Sequence, residues 1–209
     1  MSIAKEGYPI IAVPAILSGI ALAIGWALVG WILVLLTLSV AAFFRDPERV
    51  PPQGEGLIVA PADGKVVSIS TLKEDSSFPG AATRISIFLS PLDVHINRTP
   101  VEGIIEEIKY QRGKFLAAYK EEASVQNEHN ALWFVDNKGR KFGVVQIAGV
   151  LARRIVCRVK AGDALIRGEK FGLIMFGSRT DTYLPTGCRI EVTEGQRVKG
   201  GETILGRLT

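Results

Sequence analysis

Hydrophobic and polar positions divide the chain into two parts with different patterns. From Tyr8 to Phe44 the sequence contains no Asp, Glu, Lys, Arg or His, whereas charged residues recur from Arg45 onward. The stretch RDPERVPP, which begins at Arg45, marks the change. We therefore expect an N-terminal apolar segment over residues 1–47 and a second domain over residues 48–209.

The apolar segment is longer than one ordinary membrane-spanning helix. As a single straight helix it would extend about 55 Å, whereas the hydrocarbon core of a bilayer is about 30 Å thick. The stretch GWALVGW at residues 25–31 offers glycines that can open a turn and tryptophans suited to a membrane interface. A helical hairpin is therefore favoured over a single span with long flanks. In a hairpin, Lys5, Arg45 and Arg49 would all lie on the cytoplasmic side.

A secretory signal peptide is the competing interpretation of this segment. Its apolar region would cover roughly 7–15 residues and would precede a cleavage site made of small residues. The apolar run here is far longer and ends in Phe43, Phe44 and Arg45. A retained helical membrane anchor is therefore favoured.

After residue 56 the pattern changes to short β-like runs separated by turn residues. In TRISIFL, residues 83–89, apolar and other side chains alternate with the period of two that is typical of a half-buried strand. The main helical candidate is GKFLAAYKEEAS, residues 113–124, which could also be largely loop. About 150 residues made mostly of strands predict a mainly β fold, a β-sandwich or barrel-like domain that buries its sheet edges.

Charge and cysteine content exclude some classes of partner. The net charge of +4 suits an anionic membrane surface. Basic residues do not cluster with aromatic ones, so no nucleic-acid partner is expected. Cys157 and Cys188 are too few and too far apart for a metal motif, so we expect inert buried thiols and no metal site.

Few polar residues in the β-like runs could carry acid–base chemistry. His95 follows Asp93 by two residues in SPLDVHINRTP, so the two side chains can share one face of a strand or one turn. An imidazole there could exchange protons near neutral pH. His129 is typical of a solvated loop histidine, and the Asp-Gly turn in PADGKVV alone accounts for Asp63.

A glycine interrupts the β-like run GLIMFGSRTDTYLP, residues 172–185, directly before Ser178. Glycine within a strand indicates a bulge, a bend or a close backbone approach. Ser178, His95 and an aspartate would supply the residue types of a serine-hydrolase triad, although the G-x-S-x-G pattern is absent. The glycine-centred turns of the C-terminal region also resemble biotinyl and lipoyl carrier domains, but residues 176–179 stand where a carrier presents its lysine. A hydrolase and a non-enzymatic carrier module both remain alternatives at this point.

Four stretches taken together resemble the phosphatidylserine decarboxylases, in the short form found in bacteria and archaea. They are the apolar segment ending in FFRDPER, then PADGKV, SPLDVHINRTP and FGSR, in this order. The resemblance covers essentially the whole chain. It implies a membrane enzyme that converts phosphatidylserine to phosphatidylethanolamine. The alternative is the same reaction on an archaeal ether lipid, archaetidylserine, because no residue distinguishes acyl from ether tails.

The resemblance further implies a proenzyme that cleaves its own chain between Gly177 and Ser178. The products would be a β chain of residues 1–177 and an α chain of residues 178–209. The attacking Ser178 would end as a pyruvoyl group, the cofactor, which serves as an electron sink. Gly177 would permit the strained backbone that such an attack requires.

Site roles also follow from the resemblance. Asp63 would assist self-cleavage, and Asp93 and His95 would lie near the pyruvoyl site, with His95 as the general acid. The longer bacterial enzymes carry a second histidine where this chain has Arg98, and arginine is a poor base. Either His95 serves both maturation and turnover or Asp63 acts through another group, while Arg98 would bind the lipid phosphate or the substrate carboxylate. The family also implies a homodimer, with the β domain at the cytoplasmic face of the cell membrane.

Overall fold

The computed structural model describes residues 2–72, 82–119, 122–150, 154–175 and 177–208. The chain divides into two compact units, Met1–Glu48 and Arg49–Thr209.

The first unit is built from two apolar helices, α1 (Tyr8–Ala23) and α2 (Ala27–Phe43), which pack against each other. Gly25 lies between them with φ of +82°, in the left-handed region that glycine adopts without steric cost. Two short strands, β1 (Ser2–Ile3) and β2 (Arg45–Asp46), pair at the open end of the helices. The apolar segment is thus two helices joined by a turn, as in the hairpin alternative.

The helices of the first unit expose much of their apolar surface. Among the described residues, the helical stretch Lys5–Ala23 is long and apolar enough to cross a membrane, while α2 has 17 residues and is shorter. Trp26 and Trp31, near the turn, are 62% and 65% exposed. This apolar surface is a weak indication that the protein associates with a membrane.

The second unit is mainly β, as the pattern predicts. Its strands are β3 (Leu57–Val59), β4 (Gly64–Leu72), β5 (Ala82–Leu89), β6 (Ile96–Arg98), β7 (Gly103–Gln111), β8 (His129–Val135), β9 (Lys141–Ala148), β10 (Ile155–Cys157), β11 (Ala164–Leu165), β12 (Lys170–Ile174), β13 (Ser178–Pro185), β14 (Arg189–Ile190), β15 (Arg197–Val198) and β16 (Ile204–Arg207). One short helix, α3 (Ala123–Gln126), precedes β8.

Eight of these strands form a curled antiparallel sheet in the order β11-β7-β8-β9-β13-β5-β4-β15. Two three-stranded sheets, β10-β12-β6 and β14-β16-β3, complete the unit. The main apolar core combines side chains from all three sheets, for example Ile87 of β5, Phe171 of β12 and Leu205 of β16. Strand β13 lies inside the large sheet, so it is paired along both edges.

The helical candidate at residues 113–124 is largely loop. The described part is non-helical until α3 begins at Ala123. The Asn127 side chain accepts a hydrogen bond from the backbone N–H of Leu116 and donates one to its carbonyl oxygen. These bonds satisfy backbone groups that a helix would otherwise pair.

The two cysteines are free thiols, as expected, but each is half-buried rather than fully buried. Both pack against the main core. Burial raises the pKa of the Cys188 thiol above its usual value, with the charge of Arg140 opposing the shift. Cys188 is therefore mainly protonated at neutral pH, which is consistent with an unreactive thiol.

Candidate active site

The Gly177–Ser178 peptide lies where β13 begins. Gly177 has φ of +60°, so the chain enters the strand through a backbone conformation that favours glycine. Ser178 is fully buried and is paired with Ala148 of β9 on one side and Leu89 of β5 on the other. The sheet therefore fixes the first residue of β13 from both edges.

The hydroxyl of Ser178 is buried and has no hydrogen-bond partner among the described residues. Leaving a buried polar group unpaired costs about 1–3 kcal/mol. Thr180 and Thr182 project from the same face of β13 and share this feature. Ser178 differs from them because it directly follows the glycine that His95 contacts.

His95 lies beside the Gly177–Ser178 peptide. Its Nε2 atom accepts a hydrogen bond from the backbone N–H of Gly177, at 3.3 Å. Its Nδ1 atom lies 2.9 Å from the backbone carbonyl oxygen of Asp93, which can only accept, so Nδ1 carries the hydrogen. This assignment gives a neutral ring whose lone pair at Nε2 faces the Gly177 backbone. The imidazole is 2% exposed, so bulk water does not compete for that position.

The carboxylate of Asp93 has other partners than the His95 ring. One oxygen accepts hydrogen bonds from the backbone N–H and the hydroxyl of Ser90, and the other accepts from Arg197. Burial raises the pKa of Asp93, but the Ser90 hydrogen bonds and the hydrogen bond and charge of Arg197 outweigh it, so the pKa lies below its usual value. Asp93 and His95 lie together, and the link between them is the Asp93 backbone carbonyl.

Asp63 and Arg98 each form hydrogen bonds with other parts of the β unit. Asp63 accepts hydrogen bonds from Arg49 at 3.0 Å and from the backbone N–H of Gly200 at 2.8 Å. Arg98 is 5% exposed and donates to the carbonyl oxygen of Gly168 at 3.0 Å. His95 and Arg98 are three residues apart along an extended segment, which separates them by about 10 Å.

A buried ion pair, which was not among the predicted site residues, directly follows Ser178. Arg179 and Asp181 are 1% and 0% exposed and are joined by two hydrogen bonds. Arg179 also donates to the Ser86 hydroxyl at 2.7 Å, and the Ser124 hydroxyl donates to Asp181 at 3.0 Å. Opposite charges two apart in a predicted strand were the available signal, because such residues share a face.

A recess of about 160 Å³ opens beside Gly177. Its lining is apolar and includes Phe88, Ala118, Tyr119 and Val150. The rings of Phe88 and Tyr119 meet edge to face with centroids 6.2 Å apart. Residues 117–119 belong to the helical candidate at residues 113–124, which is largely loop in the structure. The sequence pattern therefore does not predict the recess.

No group of three or more His, Cys, Asp or Glu side chains that could hold a metal ion occurs within the ranges that the structure describes. One imidazole and one buried serine hydroxyl lie at the Gly177–Ser178 peptide. They define a class of protein: a mainly β domain whose histidine contacts a glycine–serine step at the start of a central strand, as suits chemistry on the protein's own backbone.

Comparison with known proteins identifies the family. A family model described as phosphatidylserine decarboxylase matches residues 36–206. The match covers most of the chain and includes the whole candidate site, so the protein belongs to the phosphatidylserine decarboxylase family. The resemblance drawn from the four sequence stretches is thereby confirmed.

Curated relatives are similar over most of their length. A protein of Geobacter sulfurreducens is 45% identical over 211 residues, which cover 99% of this chain and 96% of the relative. One of Cereibacter sphaeroides is 49% identical over 187 residues, covering 88% and 81%, and one of Symbiobacterium thermophilum is 46% identical over 206 residues, covering 99% and 95%. Each is named phosphatidylserine decarboxylase proenzyme.

Proposed function

We propose that the protein decarboxylates phosphatidylserine to phosphatidylethanolamine, using a pyruvoyl group made from Ser178 by self-cleavage. The observation that carries the proposal is the contact between His95 and the Gly177 backbone, next to a buried serine hydroxyl that has no partner among the described residues. An intramolecular attack requires a base and a nucleophile beside the peptide bond that is cleaved.

Self-cleavage begins when the Ser178 oxygen attacks the carbonyl carbon of Gly177. His95 Nε2 accepts the hydroxyl proton and passes it to the Ser178 nitrogen as the bond from that carbon to the nitrogen breaks, so the peptide becomes an ester and the nitrogen becomes a free amine. The Ser178 Cα proton is then removed and the Cβ–O bond breaks. Gly177 leaves as a carboxylate and residue 178 is left as dehydroalanine. Water then replaces its nitrogen, which departs as ammonia.

The residues present fit this conversion. It removes the Ser178 hydroxyl, and that hydroxyl has no hydrogen-bond partner to lose among the described residues. The pyruvoyl group, once formed, supplies an electron sink for loss of carbon dioxide. His95 faces the same position and, once its Nε2 has taken up a proton, would hold the proton that the decarboxylated carbon needs.

Within this proposal the other polar residues act by position. The backbone carbonyl of Asp93 fixes the tautomer of His95, which places the lone pair at Nε2. The ionised Asp93 carboxylate ties the Ser90–Asp93 turn to Arg197. Asp63 anchors the turn at Gly200, and Arg98, held at Gly168, would meet an anionic part of the substrate. His95 thus serves both maturation and turnover, because Arg98 cannot act as a base.

The substrate chemistry accounts for the apolar hairpin. Phosphatidylserine is a lipid, so a domain that acts on it benefits from attachment to the bilayer by α1 and α2. Lys5 precedes the hairpin, and Arg45 and Arg49 follow it. Both ends of a hairpin lie on the same side of the membrane, and basic residues favour the cytoplasmic side, so the β domain would be cytoplasmic. Protease added outside sealed cells should then leave residues 49–209 intact. The homodimer stays a prediction, and analytical ultracentrifugation of the solubilised protein tests it.

The first experiment is intact mass spectrometry of the wild-type protein and of Ser178→Ala. The wild type should give residues 1–177 and a smaller chain that begins with a carbonyl-reactive pyruvoyl group, together with release of carbon dioxide from phosphatidylserine. Ser178→Ala should remain one chain without activity. Thr180→Val is the matched control, because it removes a buried hydroxyl that also lacks a described partner on the same face of β13, and it should still cleave.

Other outcomes would identify another function. An active Ser178→Ala protein would refute the pyruvoyl mechanism. An uncut wild-type chain whose Ser178 reacts with a fluorophosphonate would indicate a hydrolase, and an uncut, unreactive chain would indicate a carrier-like module. Parallel assays with ester-linked and ether-linked phosphoserine lipids would separate the two lipid substrates.

A further inference from the structure

We infer that Gly149 is a positioning residue for self-cleavage, because its lack of a side chain leaves the space that the carbonyl oxygen of Gly177 occupies. The inference rests on the proposed function, since it concerns the same peptide bond.

Gly149 directly follows Ala148, the last residue of β9, and is buried. A Cβ atom at this position would lie 2.2 Å from the carbonyl oxygen of Gly177 and 3.2 Å from its carbonyl carbon. The Cβ of Ala118 would lie on the other side, also at 3.2 Å. An ordinary contact between these atoms would be about 3.5 Å or more, so residue 149 cannot carry a side chain unless the Gly177 carbonyl moves.

The obstacle at Gly149 is this carbonyl and not the backbone conformation. Gly149 lies outside the left-handed region of φ, so an alanine there meets no conformational strain of its own. The clashing atom belongs to the main chain and cannot rotate away as the end of a flexible side chain would. Glycine at residue 149 therefore leaves room for the carbonyl group of residue 177.

The Gly177 carbonyl is the group on which the proposed cleavage acts. Its carbon receives the Ser178 oxygen, and its own oxygen carries the negative charge of the tetrahedral intermediate. Ser178 is held on both sides by the sheet, so a displacement forced by residue 149 falls on the Gly177 peptide. The distance and angle of attack then change, and a misplacement of about 1 Å can slow an intramolecular reaction roughly 100-fold.

Gly149→Ala tests the inference in the full-length chain. The precursor is synthesised in a cell-free system with detergent, and the conversion of the uncut chain to residues 1–177 and 178–209 is followed by mass spectrometry. Gly149→Ala should lengthen the half-time of cleavage on the order of 100-fold relative to the wild type. Cleavage at the wild-type rate would overturn the inference.

Gly206→Ala is the matched control for general destabilisation. A Cβ at Gly206 would also meet a backbone carbonyl oxygen, that of Arg189, at 2.6 Å, and it too lies outside the left-handed region. This collision lies in the β14-β16-β3 sheet. Gly206→Ala should cleave at close to the wild-type rate when both variants lose similar thermal stability. Equal slowing in the two variants would overturn the inference, since it would trace the effect to stability alone.

Hydroxylamine identifies the step that is affected. It attacks esters, so it splits a chain that has already formed the ester between Gly177 and the Ser178 oxygen, leaving a hydroxamate on residue 177. Gly149→Ala should yield little of this product, because the displaced carbonyl slows formation of the ester itself. Rapid release of the hydroxamate from Gly149→Ala would overturn the inference. A wild-type chain that never cleaves would instead refute the proposed function, so the two failures are distinguishable.

Discussion

His95 is held from both sides of its ring by backbone groups of the chain itself. The Asp93 carbonyl fixes the hydrogen on Nδ1, and the Gly177 N–H marks the direction of the Nε2 lone pair. The chain lacks a second histidine at residue 98, and the arginine there is occupied with the Gly168 carbonyl. At the scale of single residues, this imidazole is therefore the candidate for both proton transfers of the proposed chemistry.

We expect His95→Gln to leave the chain uncut. Glutamine keeps a polar side chain but cannot accept the Ser178 proton as an imidazole does, and loss of a general base typically slows a reaction about 10²–10⁴-fold. The fraction of cleaved chain, measured by mass spectrometry over time, checks this expectation.

His129→Gln is the matched control for His95→Gln. The His129 ring makes the same local contact, from Nδ1 to the carbonyl oxygen two residues earlier, at 2.7 Å. It starts β8, two strands away from β13. This variant should cleave normally. Prompt cleavage of His95→Gln would show that another group takes the proton.

At the scale of elements, the alternation of side chains along the sequence predicts most of the β unit. It does not predict the contacts between distant residues that shape the site. The run at residues 83–89 predicts β5 within one residue, because alternating burial is a property of the strand itself. Ser86 departs from the pattern: it is fully buried because it accepts a hydrogen bond from Arg179, which is distant in sequence. The pattern does not reveal Gly149 either, since the group that it accommodates, the Gly177 carbonyl, is distant in sequence. The Gly177–Ser178 step could be singled out because glycine in a strand is itself a local signal.

The ion pair of β13 should hold this strand in place. Removing one partner of a buried ion pair typically costs about 3–5 kcal/mol, because the remaining charge is left without compensation. We expect Asp181→Ala to lower the free energy of unfolding by that amount. Urea denaturation measures it, in a Ser178→Ala background so that the protein that unfolds is a single uncut chain.

Glu107→Ala is the control for Asp181→Ala. Glu107 pairs with Lys109 on the surface, where the side chains are 51% and 71% exposed, and such pairs contribute about 0–1 kcal/mol. An equal decrease in the free energy of unfolding in the two variants would show that the buried pair stabilises the fold no more than the surface pair does.

At the scale of the whole molecule, the proposed cut would fall outside every strand. Residues 178–209 supply β13 and β15 to the large sheet and β14 and β16 to a three-stranded sheet. Strand β13 starts at the residue that becomes the new chain end, so the conversion would remove only the backbone N–H of residue 178, and residues 179–185 would keep their pairing with β5 and β9. The proenzyme fold can therefore persist as the fold of the cleaved enzyme.

The two chains should consequently stay together after cleavage. A tag after residue 209 should retain residues 1–177 on an affinity resin in buffer, because separation would require β13 to leave two neighbours and β16 to leave β3. In urea, residues 1–177 should be lost from the resin at the concentration at which circular dichroism reports loss of the sheet. An uncut Ser178→Ala chain, bound in parallel, should stay on the resin at every urea concentration. Recovery of residues 178–209 alone in native buffer would contradict this view, since a central strand cannot leave while the sheet remains folded.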